Sequence, residues 1–279
     1  MQKTFDVFGP VELDVRLASG EIEVDASLDG RVEIELVAHD EESQRLVDDA
    51  RIELLERHGR PGVLVDVPQK RGFSFGFSFG RGISCRIRCP QESSLQTRTK
   101  SADLYVRGTL AGVNASTASG EVELEDVTGG VTVKSASGDL KARSIGSLNV
   151  QTASGDVQVE AVSGPVSVNT ASGDVEIQSA DESVNVNTVS GDQDLGAVLV
   201  GTVSAQSVSG DVSIAVRRGS KAFLDCSTVS GDTSSELDLQ SDAPAGDGPL
   251  VEVRARTVSG DIQIRRAPAP TTDAQEVHA

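Results

Sequence analysis

The stretch TASGDVQVEAVSGPVSVNTASGDVEI, residues Thr152–Ile177, carries the same short element twice, with starts 18 residues apart. The element is a Thr or Ser, any residue, then Ser-Gly-Asp or Ser-Gly-Glu, followed by an apolar–any–apolar pair. It starts at Thr117, Ser135, Thr152, Thr170, Thr188, Ser207, Thr228 and Thr257, at intervals of 18, 17, 18, 18, 19, 21 and 29 residues. The longest interval holds QSDAPAGDGP (Gln240–Pro249), which reads as a surface loop. A fixed period of this size marks a repeat architecture, in which each unit buries its apolar face against its neighbours.

A strand leads into each element. Four and two residues before the Thr or Ser the side chains are apolar or small, as at Val131 and Val133, Val166 and Val168, and Val253 and Ala255. This alternation is the period of a half-buried strand. After Ser-Gly-Asp the alternation resumes with shifted parity, at Val157 and Val159, Val175 and Ile177, and Ile262 and Ile264. A parity shift demands a bend, and Gly120, Gly138, Gly155, Gly173, Gly191, Gly210, Gly231 and Gly260 stand at it as structural corner residues. The constant period favours a coil whose equivalent strands stack in parallel over an antiparallel meander, because stacking puts like over like. The expected fold is all-β: a single-stranded β-solenoid (β-helix) with two short strands per rung of about 18 residues, plus one N-terminal helix insertion. Ala118, Ala136, Ala153 and Ala171 give way along the chain to Val189, Val208, Val229 and Val258, which suggests an interior widening toward the C-terminus.

Residues 1–94 carry the pattern in degraded form, and 95–266 carry it regularly. Thr99–Asp103 is a corner with Ala102 in place of Gly, and LASGEIEV (Leu17–Val24) is another rung. Glu41–Gly59 reads as a helix over about 41–57 with Leu46, Ala50 and Leu54 on one face, a cap for the end of the coil. Strands follow at Val63–Val67 and Ile83–Cys89, separated by a Phe/Gly loop at 70–82. Residues 1–266 are expected to form one domain, followed by a disordered Pro-, Ala- and Thr-rich tail at 267–279.

The strand entry CPQESSLQTRT and the TASGDV-type rungs resemble the bacterial toast-rack, or putative adhesin, β-strand repeat family. The resemblance covers nearly the whole chain and is strongest from Leu95 to Ile264. It implies a β-helical stack, association with envelope-stress systems and no catalysis.

Composition narrows the function classes. With 37% hydrophobic but only 3% aromatic residues in 279, the core must be built from small aliphatics. A formal charge of −18 argues against wrapping nucleic acid, which needs concentrated Lys and Arg. MQKTFDVFGPVELDV at the start shows no apolar export region, and three cysteines suit a reducing compartment, so a cytoplasmic location is expected.

Candidate sites were weighed against plain scaffold roles. The column Asp139, Asp156, Asp174, Asp192, Asp211, Asp232 and Asp261 forms an acidic ladder, read as turn chemistry in preference to a Ca²⁺ site. The Thr/Ser column is read as hydroxyl stacking within the scaffold, not as an ice-binding face. Cys85 and Cys89 share a strand face with Ile83 and Ile87, which favours core over metal. The basic residues Arg217, Arg218, Lys221, Arg254, Arg256, Arg265 and Arg266 are read as a solvated face. The one feature the scaffold leaves over is KRGFSFGFSFGRG, where Phe73, Phe75, Phe77 and Phe79 alternate between Lys70, Arg71 and Arg81. Alternation puts the four rings on one side, suited either to a partner groove or membrane surface or to a hairpin whose Phe face folds back on the solenoid or the helix. No catalytic, metal or cofactor motif stands out. The expected function is a non-enzymatic scaffold with protein partners, with end-to-end self-assembly as the alternative, followed by a surface adhesin or a carbohydrate-active β-helix enzyme.

Overall fold

The computed structural model describes residues 1–57, 59–68, 82–237 and 248–268. Most of them lie in strands, and the described residues contain one helix, Glu41–Asp48. Each rung enters a Ser-Gly-Asp corner on one wall and leaves it on a second. Both walls are parallel and in register from rung to rung. Val166–Ser172 lies along Val184–Asn187 on the entry wall, and Val157–Val162 along Val175–Ala180 on the exit wall. An antiparallel meander is therefore ruled out for the repeat, and the coil stands.

The two walls face each other across a narrow core. Val166, Val168, Val175, Ile177, Val184, Val186 and Ile214 are all at most 3% exposed. Burying each such side chain stabilises the fold by about 1.5–3 kcal/mol. Gln193 is the polar exception in an inward column at 1% exposure. Its Nε2 donates to Thr188 Oγ1 at 3.0 Å and to the Gln206 carbonyl at 2.9 Å.

The corner is where successive rungs come closest. A Cβ built on Gly138 falls 2.1 Å from the Gly120 carbonyl oxygen, and one on Gly260 falls 2.1 Å from that of Gly210. The same clash, at 2.0–2.3 Å, recurs at Gly120, Gly155, Gly173, Gly191, Gly210 and Gly231. Gly is thus required by the approach of one backbone to the next. At Gly138 that reason acts alone, whereas Gly260 also takes φ +146°.

The rungs do not stack in chain order at either end. At the C-terminal end, Leu250–Ser259 lies between Gly201–Gln206 and Lys221–Ser230, parallel to both. Ile262–Arg266 likewise lies between Val212–Val216 and Thr233–Ser235. The last rung of the sequence is therefore the second-to-last of the stack. At the N-terminal end, Glu12–Ala26 is held between Ser93–Ser116 on one side and Arg60–Asp66 with Ile83–Arg88 on the other. The first and last rungs of the chain are both covered on two sides.

Several expectations need correction. The helix ends at Asp48, with Asp40 as its N-cap accepting from the Ser43 N–H. Arg51–Arg57 is instead a strand, antiparallel to Arg60–Asp66. Ile52, read as part of the helix, is 2% exposed opposite Val65, while Leu54 is left 45% exposed. The gain from closing a hairpin onto the coil overrides the helical spacing of Leu46, Ala50 and Leu54. The N-terminal end is capped by antiparallel strands, with Gln2–Asp6 on Arg31–Ala38 and the latter on Ile83–Arg88; the helix only flanks Arg31–Ala38. The interior does not widen along the Ala-to-Val column, because that column faces solvent, as described below. The exposed C-terminal edge is Lys221–Ser230, not the Arg265-Arg266 rung. Ala267, assigned to the tail, is 1% exposed and its N–H donates to Val216 at 3.0 Å. Residues 269–279 and most of the Gln240–Pro249 loop lie outside the described residues. No helix among the described residues is long and apolar enough to cross a membrane.

The crowded corner gives a direct stability test. Gly138→Ala is expected to cost about 3 kcal/mol or more by urea denaturation, since backbone must move. Gly219→Ala, where φ is +89° but nothing lies within 4 Å, is expected to cost about 1–2 kcal/mol. Equal costs at the two positions would contradict the close-packed corner.

Candidate functional site

Four backbone N–H groups turn through the corner at Gly191, and each finds an acceptor on a neighbouring rung. The Ser190 N–H donates to Ala171 O at 2.9 Å, and the Gly191 N–H donates to Ser209 O at 3.0 Å. The Gln193 N–H, after the corner, donates to Asp211 O at 2.9 Å. Between them the Asp192 N–H donates to the Asp174 carboxylate, Oδ1, at 2.8 Å. The Asp side chain therefore serves as acceptor at the turn, where a backbone polar group must otherwise be satisfied by water.

This bond repeats as a chain of carboxylates. Asp156 donates to Asp139, Asp174 to Asp156, Asp211 to Asp192, Asp261 to Asp211 and Asp232 to Asp261, all at 2.8–2.9 Å. The ladder follows stack order, passing from Asp211 to Asp261 and only then to Asp232. Sequence reading assigned these residues to their own turns; the structure shows that each caps the next rung. Glu121 donates to Asp103 at 2.9 Å, but its own carboxylate pairs with Lys141 at 2.7 Å.

The hydroxyl column lies inside the corner. Thr170, Thr188, Ser207 and Thr257 are 4–7% exposed, and Thr188 Oγ1 bonds Ser207 Oγ at 3.1 Å. At the earlier corners Thr117 and Ser135 accept instead from the N–H of Gly120 and Gly138, at 2.9 and 2.7 Å. The residue after each hydroxyl must then point outward. Val189, Val208 and Val258 are 54%, 50% and 49% exposed, and Val229 is 83% exposed. In stack order they form a ridge of four valines, spaced at the inter-strand distance of about 4.8 Å, alongside the Asp ladder. Strand parity carried the signal for this ridge, since Val184 and Val186 face inward and Thr188 shares their parity.

The remaining sequence candidates fall apart or become structural. Cys85 and Cys89 face the core at 1% and 0% exposure. Burial pushes their thiols up to about 12 and about 11, and it raises the half-buried Cys226 as well. The basic residues of the last rungs are largely engaged in ties between rungs. Arg265 reaches Asp194 at 2.7 Å, Arg217 reaches Asp181 at 3.3 Å and Arg256 reaches Asp225 at 3.4 Å. The corner glycines Gly120 through Gly260 come together in one column. Lys70, Arg71, Phe73, Phe75, Phe77, Phe79 and Arg81 lie outside the described residues. Their flanks do not: Pro68 follows the Arg60–Asp66 strand and Gly82 sits against Gly20, so the segment is inserted at the corner position of the outermost N-terminal rung.

A filled parallel coil with outward-facing columns is a β-solenoid. Residues 11–265 match the Toastrack DUF4097 family model, and the chain belongs to that family. The fold is shared by a putative adhesin from Parabacteroides distasonis at 15% identity, a TM-score of 0.51, and coverage of 95% of this chain and 96% of that one. A putative adhesin from Bacteroides fragilis is similar at 14% identity, with a TM-score of 0.46 and coverage of 94% and 96%. No curated protein matches the chain.

Two outcomes follow. Asp211→Asn keeps an acceptor oxygen and is expected to leave stability within about 0.5 kcal/mol, whereas Asp211→Ala is expected to cost about 1–2 kcal/mol by urea denaturation. Because the Cys85 thiol is held neutral by the fold, its stabilising contribution is intact below about pH 9 and is lost as pH rises toward about 12. The urea midpoint should fall above about pH 9, and less so in Cys85→Val; an unchanged slope in that variant would contradict the assignment.

Proposed function

We propose that this protein is a non-enzymatic scaffold that binds protein partners along the outside of its coil, in an envelope-stress-type setting. The observation that carries the reading is the valine ridge: Val189, Val208, Val258 and Val229, at 49–83% exposure, in one column beside a carboxylate ladder. Apolar residues aligned in this way on a monomer surface favour burial against a partner. The adjoining carboxylates and the formal charge of −18 favour a partner segment that is apolar with flanking basic residues. The filled interior of small aliphatics supports a role for surfaces over one for an enclosed substrate site. The family resemblance, with its adhesin-named relatives, supports binding as the general activity. A cytoplasmic location remains part of the proposal. The Phe-rich insertion at the N-terminal rung is a second binding element under this reading, for a partner or for a membrane surface.

The test is co-purification from native lysate with three baits: wild type, Val208→Ser/Val258→Ser, and a variant with the four Phe changed to Ser. Loss of bound proteins with the valine variant is expected, with capture weakening as salt is raised. Capture unchanged in both variants would remove both elements from the proposal. Flotation of the same proteins with anionic vesicles separates membrane binding through the Phe segment from protein binding.

A further inference from the structure

The two ends of the coil are finished differently. At the N-terminal end antiparallel strands cover the last parallel rung. At the other end, Lys221–Ser230 pairs with Leu250–Ser259 on one side, and among the described residues no strand pairs with its outer side. Its inward side chains Ala222, Leu224 and Cys226 are only partly buried, packed on the core from below. Phe223, pointing outward, is 58% exposed. Natural edge strands are blunted by several charges, prolines or bulges, and a ten-residue edge with one Lys, no Pro and an exposed Phe is poorly protected.

The backbone of this edge is poised to pair. The Lys221 N–H donates inward to Pro249 O at 2.8 Å. By strand alternation, Lys221, Phe223 and Asp225 turn their backbone groups into the sheet, and Ala222, Leu224 and Cys226 turn theirs outward.

We propose that the occupant of this edge is a second copy of the chain, docked head to head with the two Lys221–Ser230 strands antiparallel about a twofold axis through Phe223. In this register Lys221–Asp225 of the two copies pair, and Ala222 of each copy exchanges backbone bonds with Leu224 of the other. Phe223 meets Phe223 in the close, non-hydrogen-bonded position, where aromatic cross-strand pairs gain most. On the same outer face Lys221 of each copy stands opposite Asp225 of the other, so two opposite-charge pairs form. Sliding by two residues one way sets Phe223 against Asp225, and sliding by four sets Asp225 against Asp225. The charge pattern favours the register about Phe223 over both of these. An isologous contact of this kind closes at two copies and does not propagate into a filament.

Sedimentation equilibrium over a wide concentration range tests the proposal. Wild type is expected to be a dimer that dissociates on dilution. Lys221→Asp places Asp opposite Asp225 twice and is expected to weaken association about tenfold or more. Phe223→Ser removes the central aromatic pair without touching the Asp225–Arg256 tie and is expected to weaken association by a similar factor, with unchanged circular dichroism in all three proteins. A wild type that stays monomeric throughout would show that another segment or partner covers the edge, and would overturn the proposal. A dimer indifferent to Lys221→Asp, or to Phe223→Ser, would overturn it equally.

Discussion

The structure depends on the contact between stacked corners. There the carbonyl of one corner glycine lies beneath the Cα of the next, close enough that a Cβ would fall 2.0–2.3 Å from it. That approach brings the two parallel walls into hydrogen-bonding register and places one Asp carboxylate within 2.8–2.9 Å of the next rung's N–H. It also sets the parity on both sides of the bend, with the hydroxyl inside and the following Ala or Val outside. The Ser-Gly-Asp triplet is therefore a rung-to-rung joint. Ser donates to the rung below, Asp accepts from the rung above, and at Gly155, Gly173, Gly191, Gly210 and Gly260 the glycine donates to the rung above.

Because the joint is the same at every level, it is indifferent to chain order. Any corner of this form can sit on any other, and the chain uses this freedom at both ends. The rung at residues 250–266 enters between 201–216 and 221–237, and the glycine contacts run from Gly210 to Gly260 to Gly231 accordingly. Chain termini are where repeat stacks fray, since a terminal unit has one neighbour. Here both terminal rungs have two. The cost falls on internal segments, which become the outer edges: the hairpin-covered strands near residue 60, and Lys221–Ser230. Phe223 and Val229, at 58% and 83% exposure, lie on the second of these.

Much of this was legible in the residues. The coil, its period and the corner glycines could be read because the joint leaves identical residues at identical spacing. The inward columns could be read because alternation of Val and Ile with polar residues has one physical meaning on a half-buried strand. Stack order could not be read, since interchangeable joints leave no local mark of which rung each touches; the 29-residue interval before Thr257 was the only trace. The helix was overextended because Leu46, Ala50 and Leu54 fit helical spacing, while the Ile52–Val65 pairing that decides the matter is a tertiary contact. The valine column was assigned inward against its own parity, and correcting that placement supplied the candidate binding ridge. Of the proposed binding elements, only the Phe segment stood out in the sequence.

The most direct measurement of the intercalated stack is amide hydrogen exchange read by mass spectrometry, at a concentration where the chain is monomeric. Covered on both sides, residues 250–259 should exchange far more slowly than residues 221–230, although they lie nearer the C-terminus. Faster exchange at 250–259 than at 221–230 would mean that the rungs stack in chain order, and would contradict the account.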